Sequence, residues 1–259
     1  ADVLEAPAAE DEVLYFAPAD HHIAEVAAFQ ADIRLAAETV VREGALTVLG
    51  IRPRHAATEF GYVRVASATA RVSRVEAFRE KPDAATAAQY VAAGNYLWNA
   101  GMFLFTPRII KELLARHAPA HLEKLRAYLA LKGKDPAAAA EIFSGIPRIS
   151  FDYAVAEKAE KIFCVAAAFP WDDVGSWSAV SRLKPRDAEG NVLEGDIIQQ
   201  GCRNTVALSN RGDLTVVLNH VSDLHVVVED GVVYVSSRAE EGRIKDLLKL
   251  IETRKPGLL

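Results

Sequence analysis

Apolar residues in this chain follow two rhythms, short continuous runs and stripes spaced three or four apart, and the two alternate. The run Val13-Leu14-Tyr15-Phe16 reads as a buried strand ended by Pro18. Val26, Phe29, Ile33, Ala37 and Val40 then recur at helical spacing between Glu25 and Glu43, and Gly44 supplies the stop. Ala45 to Ile51 is the following strand. Strand, helix, strand in this order predicts a right-handed parallel crossover unit.

The same reading continues downstream. Residues 60–65 and 72–78 are expected to pair as strands, and Pro82-Asp83 to open a helix that runs to Gly94. Asn95 to Phe105 reads as a strand ending in a turn. Thr106-Pro107 combines a capping hydroxyl with a first-turn proline, which starts a helix reaching about His117. Helices are expected over about 121–131 and 136–143, and a short one over 150–158. The apolar run Ile162 to Ala168 is a further strand. Near Lys184-Pro185 and Gly190-Asn191 the pattern changes to short strands, with Asp230-Gly231 between two apolar runs as a hairpin cue. A last helix, about 240–252, places Ile244, Leu247, Leu248 and Ile251 on one face. The expected division is therefore 1–185, an α/β domain, and 190–259, a small β-rich domain ending in a helix. No internal repeat is evident.

Composition narrows the function. Of 259 residues, 51% are hydrophobic and 25% charged, the profile of a core-forming globular protein. A net charge of −5 leaves no basic excess for a polyanion, which argues against nucleic acid as a main ligand. No apolar run approaches a membrane span, and no secretory leader opens the sequence, so a cytoplasmic setting without membrane attachment is expected. Cys164 and Cys202 lack metal-ligand spacing and read as reduced structural thiols.

The chemistry concentrates where strands end, the edge at which open α/β sheets bind ligands. Asp20 follows the first strand. Asp173 lies in Trp171-Asp172-Asp173-Val174-Gly175-Ser176-Trp177, directly after the 162–168 run. Two carboxylates from separate strand ends suit Mg²⁺, which takes few protein oxygens and leaves the rest to phosphates and water. Lys81, in Glu80-Lys81-Pro82, is pinned by proline before a helix and suits a phosphate. Gly61 beside aromatic residues, the amides Asn95 and Asn99 among aromatics, and the carboxylates Asp152 and Glu157 on one short helix suit a polar small molecule such as a sugar. Taken singly, each has an ordinary reading as a turn, a cap or core packing.

Taken together they resemble one family. Pro18-Ala19-Asp20-His21, Gly61-Tyr62, Phe78-Arg79-Glu80-Lys81-Pro82, Trp98-Asn99-Ala100-Gly101-Met102-Phe103, 150–158 and 171–177 occur in the order found in sugar nucleotidyltransferases, most closely the mannose-1-phosphate guanylyltransferases. The resemblance runs from about Val13 to the end. It implies a Rossmann-like, GT-A-type mixed sheet flanked by helices, with a β-rich C-terminal domain. It implies GTP and mannose 1-phosphate as substrates, GDP-mannose and pyrophosphate as products, Mg²⁺ as cofactor and a homodimer. By position, Asp20 and Asp173 match the metal ligands and Lys81 the lysine at the sugar phosphate. Gly61, Glu80, Asn95, Asn99 and Glu157 match sugar-binding positions. Asp172 falls at a variable position and is not assigned to the metal.

One departure stands against this. The family carries a loop of the form Gly-Gly-x-Gly-Thr-Arg-Leu around the nucleotide phosphates, and no such loop occurs in the 259 residues, where 17 residues precede Pro18. The expectation is a piece of a longer protein, with poor GTP affinity by itself. The alternatives are a non-catalytic sugar-phosphate-binding or regulatory homologue, or a nucleotidyltransferase for another sugar 1-phosphate.

Overall fold

The computed structural model describes residues 10–67 and 69–258. They fall into two compact units that divide between Trp171 and Asp172. The change of composition near 184–190 lies inside the second unit, so the Asp-Asp turn and the helix after it belong with the C-terminal strands.

The first unit is built as the alternating pattern predicts. Its elements are β1 (Leu14–Phe16), β2 (His22–Ile23), α1 (Val26–Glu43), β3 (Leu46–Ile51), β4 (Tyr62–Val65), β5 (Val72–Arg79), α2 (Ala84–Ala93), β6 (Tyr96–Phe105), α3 (Pro107–His117), α4 (Pro119–Lys132), α5 (Pro136–Ser144), a π-turn (Asp152–Ala156) and β7 (Ile162–Ala166). Local chemistry sets the helix ends. Asp83 accepts the Thr86 N–H at the start of α2, Thr106 accepts the Ile109 N–H at the start of α3, and Gly44 ends α1 in the left-handed region at φ 56°.

Six strands form one mixed sheet in the order β1-β6-β3-β7-β5-β4. β1 and β3 both run antiparallel to β6, which lies between them, so the strand–helix–strand unit crosses over one intervening strand. Along β6 successive residues alternate between two cores. Trp98, Ala100, Met102 and Leu104 pack with α1 residues Ala36 and Val40 and with Ala87 of α2. Leu97, Phe103 and Phe105 pack on the other face, with Ile110 of α3 and Ala156 of the π-turn. Helices thus cover both faces of the sheet. Cys164 is free and buried in the second core, where desolvation pushes its thiol up to about 12.

β6 is irregular where its sequence is most distinctive. Val48 pairs with Phe103 and Gly50 with Asn99, so two steps along β3 answer four along β6. The extra residues make a bulge at Ala100-Gly101-Met102, with Gly101 at φ 67° and its N–H donated to Asn99 Oδ1 (3.2 Å). Beyond the bulge β6 turns to pair with β4 as well, Tyr62 opposite Trp98.

The second unit opens on β8 (Trp171–Asp172), which spans the boundary, and α6 (Trp177–Arg182). Next come β9 (Val192–Glu194), β10 (Ile197–Gln200), β11 (Val206–Ser209), β12 (Val216–Asn219), β13 (Leu224–Glu229), β14 (Val232–Ser237) and α7 (Ile244–Arg254). The hairpin is present: β13 and β14 pair antiparallel, with Asp230 (φ 37°) and Gly231 (φ 82°) both left-handed in the turn. The other strands pair in parallel, β9-β11-β13 in one sheet and β10-β12 in another. The chain therefore winds as a coil. Over its later part the repeat, absent from the expectations above, is 19 residues, with Ile197 beside Val216, Arg203 beside Ser222 and Val206 beside His225, while the first step is shorter, with Val192 beside Val206. Cys202, Ala207, Leu218 and Val226 fill the inside. Among the described residues no helix is long and apolar enough to cross a membrane.

Candidate functional site

The turn after β5 carries Glu80 and Lys81. Lys81 stands at φ 45°, a left-handed conformation that costs a side-chain-bearing residue strain and that clusters at functional sites as well as in tight turns. Its ammonium meets Glu80 Oε1 at 3.2 Å while staying 58% exposed, whereas the Glu80 side chain is 8% exposed. The Glu80 N–H donates to Glu157 Oε1 (2.8 Å), which ties the turn to the residue that closes the π-turn. On β6, the Asn99 N–H donates to the Gly61 carbonyl (2.7 Å), and Asn99 Nδ2 donates to Asp152 Oδ1 (3.0 Å). A Cβ at Gly61 would sit 2.4 Å from Glu80 Oε2 and 3.4 Å from Asn99 Cβ, so a side chain there would push the Glu80 carboxylate aside.

Five of the residues singled out in the sequence, Gly61, Glu80, Lys81, Asn99 and Glu157, thus meet in one place within the first unit. Asn95 does not join them. It lies just ahead of β6 and precedes Asn99 by four residues, about 13 Å at the rise of a strand, and its carbonyl accepts the Val65 N–H. Asp152, which carried no assigned role, is a full member. Its spacing from Glu157 gave no signal. In an α-helix residues five apart diverge by about 140°. Here the Glu157 N–H donates to the Asp152 carbonyl in an i→i+5 turn, which widens the helix and draws the two carboxylates towards one side.

Three carboxylates and one ammonium leave the cradle short of positive charge. Desolvation raises Glu80 above the usual carboxylate range, helped by the neighbouring charge of Asp152 and opposed by Lys81. Asp152 is raised as well, again chiefly by burial, with Lys81 and Asn99 pulling the other way. Such a cluster offers hydrogen-bond acceptors to hydroxyl groups and one cation to an anion.

A second cluster surrounds the end of β7. Trp171 Nε1 donates to His21 Nδ1 (3.0 Å), its carbonyl accepts Arg54 Nη2 (3.0 Å), and its ring meets Phe60, whose ring also meets Trp98. Asp20, exposed, is the residue before His21, and Asp173 is two residues beyond Trp171. The two candidate metal ligands belong to different units, 1–171 and 172–259. Among the described residues no group of three or more His, Cys, Asp or Glu side chains gathers to hold a metal. Each carboxylate by itself is a hard oxygen donor, the kind a small divalent ion accepts beside phosphates and water.

Comparison with known proteins agrees in kind with this arrangement. Residues 2–190 match the family described as Nucleotidyl transferase. The xanthan biosynthesis protein XanB of Xanthomonas campestris pv. campestris (strain B100) is 37% identical over 253 residues, covering 94% of this chain and 52% of that protein. The mannose-1-phosphate guanylyltransferase of Sinorhizobium fredii (strain NBRC 101917 / NGR234) is 35% identical over 246 residues, covering 93% of this chain and 47% of that one. Among solved structures, the mannose-1-phosphate geranyltransferase of Thermus thermophilus superposes with a TM-score of 0.83 at 36% identity, over 93% of this chain and 70% of that chain. The chain spans about half the length of the curated relatives it matches. Nucleotidyl transferases of this kind generally use a divalent metal. With a mixed α/β sheet, a strand-rich C-terminal region and a family match over most of its length, the chain belongs to the nucleotidyl transferase family.

Proposed function

We propose that the protein carrying this chain is a mannose-1-phosphate guanylyltransferase, and that residues 61–157 hold the sugar phosphate. The observation that carries this reading is the cradle around Lys81: one exposed ammonium fixed in a left-handed turn, faced by Glu80, Asn99, Asp152 and Glu157 over the bare backbone of Gly61. The relatives with the mannose-1-phosphate name supply the identity of the sugar.

In this reading Lys81 neutralises the phosphate of mannose 1-phosphate, and Asn99, Asp152 and Glu157 bond its hydroxyl groups. A sugar-phosphate oxygen forms the new bond to the α-phosphorus of GTP, the bond from that phosphorus to the β-phosphate oxygen breaks, and pyrophosphate leaves. Positioning and charge neutralisation supply most of the rate for such a transfer. Asp20 and Asp173 would hold the divalent metal, Mg²⁺, whose charge offsets that of the phosphates. Asn95, just ahead of β6, is left without a part in this cradle. The cytoplasm is the proposed setting, supported by the proposed nucleotide substrates and by the buried, reduced character of Cys164 and Cys202. A homodimer is the proposed assembly: α7 buries none of its residues, and Ile244, Leu247 and Leu248 are all exposed on its apolar side.

The test is a calorimetric titration of the 259-residue chain with mannose 1-phosphate, beside glucose 1-phosphate and mannose. Preference for mannose 1-phosphate, lost in Lys81→Ala, is the expected result. Equal binding of both sugar phosphates, or binding that Lys81→Ala leaves unchanged, would overturn the assignment. Light scattering across micromolar concentrations checks the dimer, and a monomer throughout would remove that part alone.

A further inference from the structure

Asp172 has no part in the chemistry above, and the structure gives it an unusual environment. It is 4% exposed and receives a two-pronged contact from Arg182, Nε to Oδ2 at 3.0 Å and Nη2 to Oδ1 at 3.2 Å. The same Oδ1 accepts the Val174 N–H at 3.1 Å. One carboxylate therefore closes a ring over the single residue between, Asp173.

The turn it closes is strained. Val174 stands at φ 52°, in the region a β-branched residue avoids most strongly, so the surroundings must hold it there. The Asp172 contact to its N–H is one restraint. Gly175 is another, since a Cβ there would lie 2.8 Å from Asp173 Oδ2, and the Asp173 carboxylate lies against its bare backbone. The turn is also tied to both ends of one helix. Ser176 caps the start of α6 by accepting the Ala179 N–H, and Arg182, the last residue of α6, reaches back to Asp172. A guanidinium suits this task because its planar fork fixes the carboxylate in angle as well as distance.

From this geometry we infer that Asp172 and Arg182 are positioning residues: their pair sets the direction of the Asp173 carboxylate and so tunes its hold on the divalent metal. The inference rests on the reading of Asp173 as a metal ligand. It separates the two adjacent aspartates by task, one facing a protein cation and the other the metal. Arg182→Lys keeps the charge and loses the fork. Asp172→Asn keeps an acceptor for Val174 N–H and weakens the grip of Arg182, while Asp172→Ala removes both. Residues that orient a metal ligand typically change affinity about ten- to a hundredfold when replaced.

The test measures Mn²⁺ binding by electron paramagnetic resonance, and the metal concentration giving half-maximal turnover, in the full protein that carries this chain. Asp173→Asn is the reference and should abolish the tight Mn²⁺ signal. Arg182→Lys and Asp172→Ala should weaken Mn²⁺ by about ten- to a hundredfold, with turnover restored at high metal, and Asp172→Asn should lie between these and the unaltered protein. Thermal melting shows which variants fold. Variants that melt lower yet bind Mn²⁺ as the unaltered protein does would overturn the inference, leaving the pair a structural brace. Should Asp173→Asn itself bind Mn²⁺ normally, the metal reading falls and the inference with it.

Discussion

The turn at Lys81 and the turn at Asp173 solve the same local problem in opposite ways. Each follows a strand, and each holds a residue other than glycine in the left-handed region, Lys81 at φ 45° and Val174 at φ 52°. At Asp173 the neighbouring buried charge, Asp172, is matched by the guanidinium of Arg182. At Lys81 the charges are left unmatched: Glu80 and Asp152 are both raised above the usual carboxylate range by desolvation, with Glu157 beside them and one lysine to answer all three. A satisfied turn is a fixed support. An unsatisfied one carries a cost that hydroxyl groups donating to its carboxylates relieve, and functional sites are where such costs are kept.

The sharpest way to break this contrast is to close the space over which the Lys81 cradle is built. Gly61→Ala would place a methyl group 2.4 Å from Glu80 Oε2, forcing the carboxylate away from its place beside Lys81. Displacing a charged acceptor and disturbing its lysine partner together forfeits on the order of 3 kcal/mol, so a loss of about a hundredfold in mannose 1-phosphate affinity is expected with the fold retained. Calorimetry beside a circular dichroism melt checks both. Unchanged affinity would mean that Glu80 does not shape the site.

Removing the ammonium itself should cost somewhat less. A charge-assisted contact contributes about 1.5–3 kcal/mol, so Lys81→Ala should weaken mannose 1-phosphate by roughly ten- to a hundredfold. GTP should be weakened less, because the lysine is proposed to face the sugar phosphate. A useful companion is Lys81→Gly, which loses the same charge and relieves the left-handed strain that alanine keeps. It should bind as poorly as Lys81→Ala and melt at a higher temperature. Equal weakening of both substrates would move the lysine to the nucleotide side.

The two units also differ in how far their sequences announce them. The first was legible because its signals are local: a stripe from Val26 to Val40, a cap at Asp83, a cap and proline at Thr106-Pro107, each acting within a few residues. The coil of the second was hidden because its repeat lies in backbone conformation more than in side-chain type. Gly201 and His220 share one corner, at φ 66° and 51°, and Asn204 and Asp223 another, at φ 48° and 57°, each pair 19 residues apart. Glycine against histidine gives no visible repeat, whereas the Asp230-Gly231 turn, a local signal, was legible. The candidate site divides in the same way. Its motifs stood out as words, but the bulge at Gly101, the i→i+5 turn that brings Asp152 beside Glu157, and the reach of Arg182 back to Asp172 are consequences of folding.

The smallest expected effect tests whether the Lys81 cradle does carry a stability cost. Asp152→Asn keeps an oxygen to accept from Asn99 Nδ2 and removes one of the three facing carboxylates. In the unaltered protein the Asp152 carboxyl is raised in the folded state, so the folded chain binds more protons than the unfolded one across the window between the two values. Stability from this group is therefore full below the ordinary carboxylate range and is lost as pH rises through the folded value. The asparagine variant has no such loss. Its melting temperature should exceed that of the unaltered chain at about pH 7, and the gap should narrow as pH falls through the carboxylate range. Binding of mannose 1-phosphate should move the opposite way, weaker in the variant, because a neutral amide replaces a charged acceptor for a sugar hydroxyl. Arg182 supplies the control. Asp172→Asn leaves a guanidinium without its full partner, so that variant should melt lower at the same pH than the unaltered chain. Both aspartates are substituted in the same way, and opposite signs for the two melts would show that one turn is satisfied and the other poised. Two losses of the same sign would mean that Asp152 is already balanced within the fold and that its cradle needs no ligand to relieve it.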